Sequence, residues 1–236
     1  MMRMAGEPSG FLPRAAAVLW ILLLGGVSLA LFAPRGVVPA TAPPDQFSAE
    51  RALRHVQEIA RAPHPLGSAD HPRVRDYLLH QLSSLGLDPS VQKTMAVLPA
   101  YGTAATVENV LARKHGTGGG GPALLLAAHY DSVPAGPGAG DDGAGAATLL
   151  ETARALGAGP PLRNDVIFLF TDGEELGLLG ASAFVKEHPW KSDVGVALNF
   201  DNRGTRGAVL MYETSPGDLA LLRELAAVVR SPRASS

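Results

Sequence analysis

The apolar positions of this chain fall into runs of three kinds, and each kind predicts a different element. The first is an uncharged stretch, AAAVLWILLLGGVSLALFA from Ala15 to Ala33, flanked by Arg14 and Arg35. It is about long enough to cross a bilayer as a helix. Arg3 and Arg14 precede it, so the stretch reads as a signal anchor, with residues 1–14 cytoplasmic and the remainder exported as a single-pass membrane protein. The competing reading is a signal peptide cleaved near Ala40-Thr41-Ala42, which would release a secreted domain. Against it stands an apolar core longer than the usual ~7–15 residues.

The second kind recurs at helical spacing. Residues 34–46, rich in Pro and Ala, read as a linker. Ser48 can then cap a helix running to about Arg61, with Leu53, Val56, Ile59 and Ala60 on one face. Arg73 to Gly86 repeats the pattern with Val74, Tyr77, Leu78, Leu82 and Leu85 inward. The loop between them, RAPHPLGSAD, holds His64 and leads into His71, and both histidines read as structural because they precede the sheet.

The third kind is the short apolar run of a strand. Val91 to Leu98 and Val107 to Lys114 read as an antiparallel pair, joined through GTGGGG (116–121) to a strand starting at Ala123. A helix of small residues follows from Ala144 to Leu156, then a buried strand from Val166 to Phe170, and later the run VGVALNF. A last strand, Ala208 to Glu213, and a helix, Asp218 to Val229, precede a polar tail. Strands alternating with helices predict an α/β fold, a three-layer αβα sandwich with a mixed central β-sheet over residues 47–236, preceded by one transmembrane helix.

The candidate chemistry sits at the carboxyl ends of three of these strands, the edge where open α/β sheets bind ligands. His129 and Asp131 are spaced i, i+2 and can point to the same side. Asp141 and Asp142 follow in a Gly-rich loop, Glu174 and Glu175 follow the second strand and open a helix, and Asp201 ends the third. Each acid alone is commonly a turn or helix-cap residue, and the Glu pair alone could be a charged helix start. Together, carboxylates this dense repel one another unless a cation neutralises them. One imidazole among carboxylates suits zinc. Spacing alone does not decide whether Asp141 or Asp142 would bind it.

Composition narrows the alternatives. The chain has 236 residues, a net charge of −2, 46% hydrophobic residues and no cysteine. There is no electrostatic case for nucleic acid, and disulfides and a cysteine nucleophile are excluded. Gly138 to Gly143 matches G-x-G-x-x-G, but its variable positions include Asp141 and Asp142, which would face a pyrophosphate with carboxylates. No G-K-[ST] is present, so there is no P-loop.

The segments HYDSVPAGPGAGDDGAG, FTDGEELGLLGA and LNFDNRG together resemble the di-zinc aminopeptidase family. NFDNRGTRGAVLMYETS is most similar to its membrane-anchored endoplasmic-reticulum and vacuolar branch, and the resemblance runs from about Phe47 to the end. It implies a zinc metallopeptidase that removes amino-terminal residues from peptides with a free N-terminus, anchored to the membrane through residues 15–33. It further implies His129, Asp141 and Asp201 on one zinc and Asp141 with Glu175 on the other. Asp131 then orients His129, and Glu174 is the general base that activates a zinc-bridging water. Asp142 is left as a solvated neighbour or a helix cap. The family pattern has one more histidine ligand on a loop well after the Asp201 strand. The last histidine here is His188, so the resemblance is to a C-terminally shortened member. The alternative expectation is a non-catalytic, peptidase-like exported domain that binds a partner.

Overall fold

The structure, a computed structural model, describes residues 11–32, 36–202, 210–211 and 213–229. It comprises two compact units, residues 37–205 and residues 1–36 with 206–236. In the second unit, α1 (Phe11–Phe32) includes a 19-residue stretch, Pro13–Leu31, long and apolar enough to span a membrane, with none of it buried. Arg14 lies within this helix; Arg3 and Arg35 fall outside the described residues. The same unit holds α6 (Leu219–Val228). Half of the expected strand Ala208 to Glu213 (Ala208, Val209 and Tyr212), and the polar tail, also lie outside the described residues.

The larger unit is built on five strands: β1 (Ser90–Leu98), β2 (Thr103–Lys114), β3 (Ala123–His129), β4 (Val166–Thr171) and β5 (Val194–Asn199). Their order across the sheet is β1-β2-β4-β3-β5. β3 runs parallel to β4 and β5, while β2 is antiparallel to both β1 and β4, so the sheet is mixed. The chain goes from β3 through α4 (Gly143–Ala158) to β4 on one side, then through α5 (Leu179–Glu187) to β5 on the other. β3 is therefore the strand at which the order reverses, and the ends of β3, β4 and β5 open onto the crevice that such a reversal creates.

Side-chain alternation along the strands sorts the core into two faces. Val110 and Ala112, Leu126 and Ala128, and Val166, Phe168 and Phe170 pack with Ile59, Val74, Leu78, Leu82, Leu149 and Leu150. That layer is made by α2 (Ala49–Ile59), α3 (His71–Ser84) and α4. The intervening positions Leu111, Leu125, Ile167 and Leu169 face Phe184 of α5. All six residues of β4 are buried, as a strand covered on both faces requires.

Ser48 caps α2 as expected, accepting from the Arg51 amide. The inward face of α2 is Ala52, Val56 and Ile59, spaced i, i+4, i+7, with Ala52 and Ile59 buried and Val56 half-buried, and Leu53 instead projects outward at 53% exposure. The expected helix start at the Glu pair is also corrected. Glu174 to Leu178 form a turn, and α5 begins only at Leu179. Gly173 and Gly177 take positive φ, and the Leu179 and Gly180 amides reach back to the Gly173 and Asp172 carbonyls.

Residues 40–46 of the stretch read as a linker are bound to this unit. Arg51 donates to the carbonyls of Ala40, Ala42 and Gln46, and Arg154 to those of Pro44 and Gln46. Both guanidiniums converge on Glu151, whose side chain is fully buried and also accepts from the Ser48 amide at 2.8 Å. Burial opposes the Glu151 charge, but Arg154 and Arg51 outweigh it and hold the carboxyl below its usual range. A depressed carboxyl stabilises the fold above the unfolded pKa of about 4.3 and loses that contribution as pH falls through the folded value. Glu151→Ala, which strands two arginines, is expected to cost about 3–5 kcal/mol, measured as a drop in the urea midpoint that shrinks at acid pH.

Candidate metal centre

His129 is the last residue of β3 and is 3% exposed. Its Nδ1–H donates to the main-chain carbonyl of Asp131 at 3.0 Å, with the Asp131 carboxylate 3.4 Å away. That bond fixes the ring so that Nε2 points outward, 2.9 Å from Asp141 Oδ1 and 3.9 Å from Glu174 Oε2. An imidazole held through one nitrogen, with the other presented to carboxylates, is the arrangement a metal-binding histidine uses.

The two neighbouring aspartates of the Gly-rich loop take different places. Asp141 keeps its side chain 58% exposed beside His129. Asp142 is buried and caps α4, accepting from the Gly145 amide at 2.9 Å and from the His129 amide at 3.2 Å. Its place is that of the helix cap, not of the solvated neighbour. A Cβ on Gly145 would lie 2.4 Å from that carboxylate, so the third position of the helix leaves room only for glycine. The G-x-G-x-x-G match has a similar origin: Gly138, at φ +65°, accepts from the Gly143 amide and closes the loop on itself.

Asp131 has a second attachment. Its carboxylate accepts from the amides of Glu174 at 3.0 Å and Glu175 at 3.2 Å, so the β3 loop holds the β4 turn. Asp201 follows β5, and one ligand atom from each of His129, Asp141 and Asp201 lies within 4.8 Å of the others. Among the described residues this is the group that could hold a metal ion. Glu174 and Glu175 flank it on the same loop. Their main chains are fixed by Asp131, but their carboxylates stand outside that set of three.

The electrostatics carry the mark of crowded negative charge. For His129, burial disfavours the imidazolium, but the carboxylates of Asp131, Asp142 and Glu174 outweigh it and push the pKa up to about 10. Burial raises Asp142 to about 8, against the lowering effect of His129. Glu174 and Glu175 are raised as well, by burial first and then by neighbouring acids such as Asp201 and Asp141.

Tyr101 and Thr103 were not legible as site residues. They arrive through the turn between β1 and β2 and line a cleft of about 620 Å³ together with Glu174, Glu175, Leu176, Gly177 and Leu178. Gly177 lies against the Tyr101 side chain, whose Cγ is 3.1 Å from where a Cβ on Gly177 would be. The one signal in the sequence was an aromatic at a Pro-Ala-Tyr-Gly turn. His64 and His71 are buried below the site with partners of their own, as a structural reading requires.

The fold recurs in solved structures of glutaminyl cyclases and of a Zn-dependent exopeptidase. Porphyromonas gingivalis glutaminyl cyclase is similar with a TM-score of 0.65 and 25% identity, over 80% of this chain and 76% of that one. A Zn-dependent exopeptidase from Parabacteroides distasonis shares the fold at a TM-score of 0.60 and 22% identity, over 78% of this chain and 68% of that one. Residues 109–236 match the model of peptidase family M28, and the chain belongs to that family. Among curated proteins, the vacuolar membrane proteases of Candida albicans and Yarrowia lipolytica are 40% and 34% identical over 192 and 202 residues. The matches cover 79% and 73% of this chain, which spans about a fifth of the length of those relatives (22% and 20%).

A divalent metal taken up by this group must displace the His129 proton. Below about pH 10, affinity is expected to rise about tenfold per pH unit for each proton released. Zinc titrations against a chelator at pH 6, 7 and 8 check this, and a flat profile would mean that binding releases no proton from His129.

Proposed function

We propose that the chain is a zinc-dependent aminopeptidase that hydrolyses the first peptide bond of peptides with a free N-terminus. The observation that carries this reading is the convergence of His129, Asp141 and Asp201 within 4.8 Å, with Glu174 3.9 Å from the His129 Nε2. The donor set, one imidazole nitrogen with carboxylate oxygens, fits zinc. His129, Asp141 and Asp201 would hold one ion, and Asp141 with Glu175 a second. Bound zinc supplies Lewis-acid polarisation of the scissile carbonyl and a water of lowered pKa.

The protein's own groups do the remaining work. The Asp131 carbonyl orients His129, and the Asp131 carboxylate fixes the Glu174 and Glu175 main chain against the cluster. Glu174, raised by burial above an ordinary glutamate, is suited to take a proton from the attacking water and return it to the leaving amine. The cleft beside it, walled by Tyr101, Leu176 and Leu178, offers apolar surface to a substrate side chain.

In this reading residues 15–33 anchor the protein in a membrane, residues 1–14 remain cytoplasmic and the peptidase-like domain from residue 47 onward faces the opposite side. The apolar α1 supports it, and cleavage near Ala40-Thr41-Ala42 would instead yield a secreted form.

Glu174→Gln removes the base and leaves His129, Asp141 and Asp201 in place. It is expected to lower kcat on aminoacyl chromogenic substrates by about 10²–10⁴-fold with zinc content unchanged. Unchanged turnover removes Glu174 from the mechanism. Zinc binding without hydrolysis in the unsubstituted chain would favour the non-catalytic binding domain.

A further inference from the structure

The turn that carries Glu174 and Glu175 is irregular backbone, and irregular backbone holds a catalytic geometry only when it is bound from outside itself. Three attachments hold it. Asp131 takes the amides of Glu174 and Glu175 in the middle. At the far end, the Asn109 Nδ2 donates to the Gly180 carbonyl at 2.8 Å. The near end is held by Asp172, two residues before Glu174.

Asp172 is fully buried. Its Oδ2 accepts from the Glu108 amide of β2 at 2.8 Å, and its Oδ1 accepts from His71 Nε2–H at 2.7 Å. Its amide donates to Asn109 Oδ1, so the near and far attachments share a residue. His71 is the first residue of α3 and 4% exposed, and its ring stacks on Tyr130 with centroids 5.0 Å apart. Tyr130 lies between His129 and Asp131, and its hydroxyl donates to the Glu108 carbonyl. The loop before α3 reaches the other half of the site: the His64 amide donates to Ser132 Oγ at 2.9 Å, and Leu66 lies 3.5 Å from where a Gly173 Cβ would be.

One segment, His64 to His71, thus touches the residue after Asp131, the residue after His129 and the residues just before Glu174. We propose that His71 is a positioning residue for the Glu174–Glu175 turn. Acting through Asp172, it keeps the Glu174 carboxylate facing His129. Its own side chain bonds to Asp172 and stacks on Tyr130, and among the described residues it makes no hydrogen bond to a metal-ligand candidate. Without the His71 N–H, the Asp172 carboxylate is left buried with half its partners, and the turn relaxes toward water to resolvate it. The proposal rests on Glu174 being the base, and its test reads the turn independently of hydrolysis.

The experiment compares the full chain with His71→Phe and His71→Gln. Phe keeps the ring on Tyr130 and removes the N–H; Gln restores an N–H at similar reach. The first readout is amide hydrogen exchange in the 172–178 segment, with β3 and α4 as controls. In His71→Phe the Glu174 and Glu175 amides are expected to exchange at least about tenfold faster while the controls stay protected, and His71→Gln returns them toward the original rate. The second readout is kinetic: kcat is expected to fall about 10–100-fold in His71→Phe with little change in KM, and to recover in His71→Gln. Original exchange rates in a folded His71→Phe overturn the proposal. So does faster exchange spread equally over β3 and α4, which would mark a general structural role. If the unsubstituted chain hydrolyses nothing, the aminopeptidase reading fails by itself, and the exchange data still decide whether His71 positions the turn.

Discussion

The site depends on one carboxylate that need not bind metal at all. Asp131 accepts the main-chain amides of both Glu174 and Glu175, and its own carbonyl takes the His129 Nδ1–H. A single residue thereby sets the ring orientation on one loop and the backbone of the facing turn. Among the bonds that hold the two loops, this carboxylate ties one directly to the other. Charge-assisted bonds to a buried carboxylate are the strong kind, and this one is 1% exposed. The acids around it gain their unfavourable proximity from that bracing, and a cation is what would make the proximity favourable.

The fold supports the bracing by placing β3 at the reversal of strand order, between β4 and β5. Three chain ends therefore meet at one edge, each followed by a loop free to carry polar groups. On one face the sheet packs on α2, α3 and α4, on the other on α5. The Glu151 pair of arginines then fixes residues 40–46 onto α2 and α4.

Much of this was legible in the sequence because it rests on period and chemistry. The apolar runs of β3 and β4 are bounded by polar loops, and His129, Asp141 and Asp201 stand at strand ends where the structure gathers them. The misses have specific causes. Leu53 is apolar but exposed, because the α2 face that meets α4 is set by Ala52 and Ile59. The Glu pair looked like a helix start because acids favour that position, whereas Gly173 and Gly177 at positive φ turn the chain before the helix forms. Tyr101 reaches the cleft through an antiparallel hairpin, and no local pattern reports what a hairpin tip meets. His71 and Asp172 are about a hundred residues apart, and only the tertiary structure makes them a pair.

The proposed chemistry turns on whether the His129, Asp141 and Asp201 cluster holds zinc. The most direct measurement is zinc content by atomic spectroscopy of the full chain in detergent, purified without added metal, beside His129→Ala. Zinc is expected in the unsubstituted protein and is expected to be lost from the variant, with both folded. No zinc in the unsubstituted protein, or the same amount in both, would contradict that expectation.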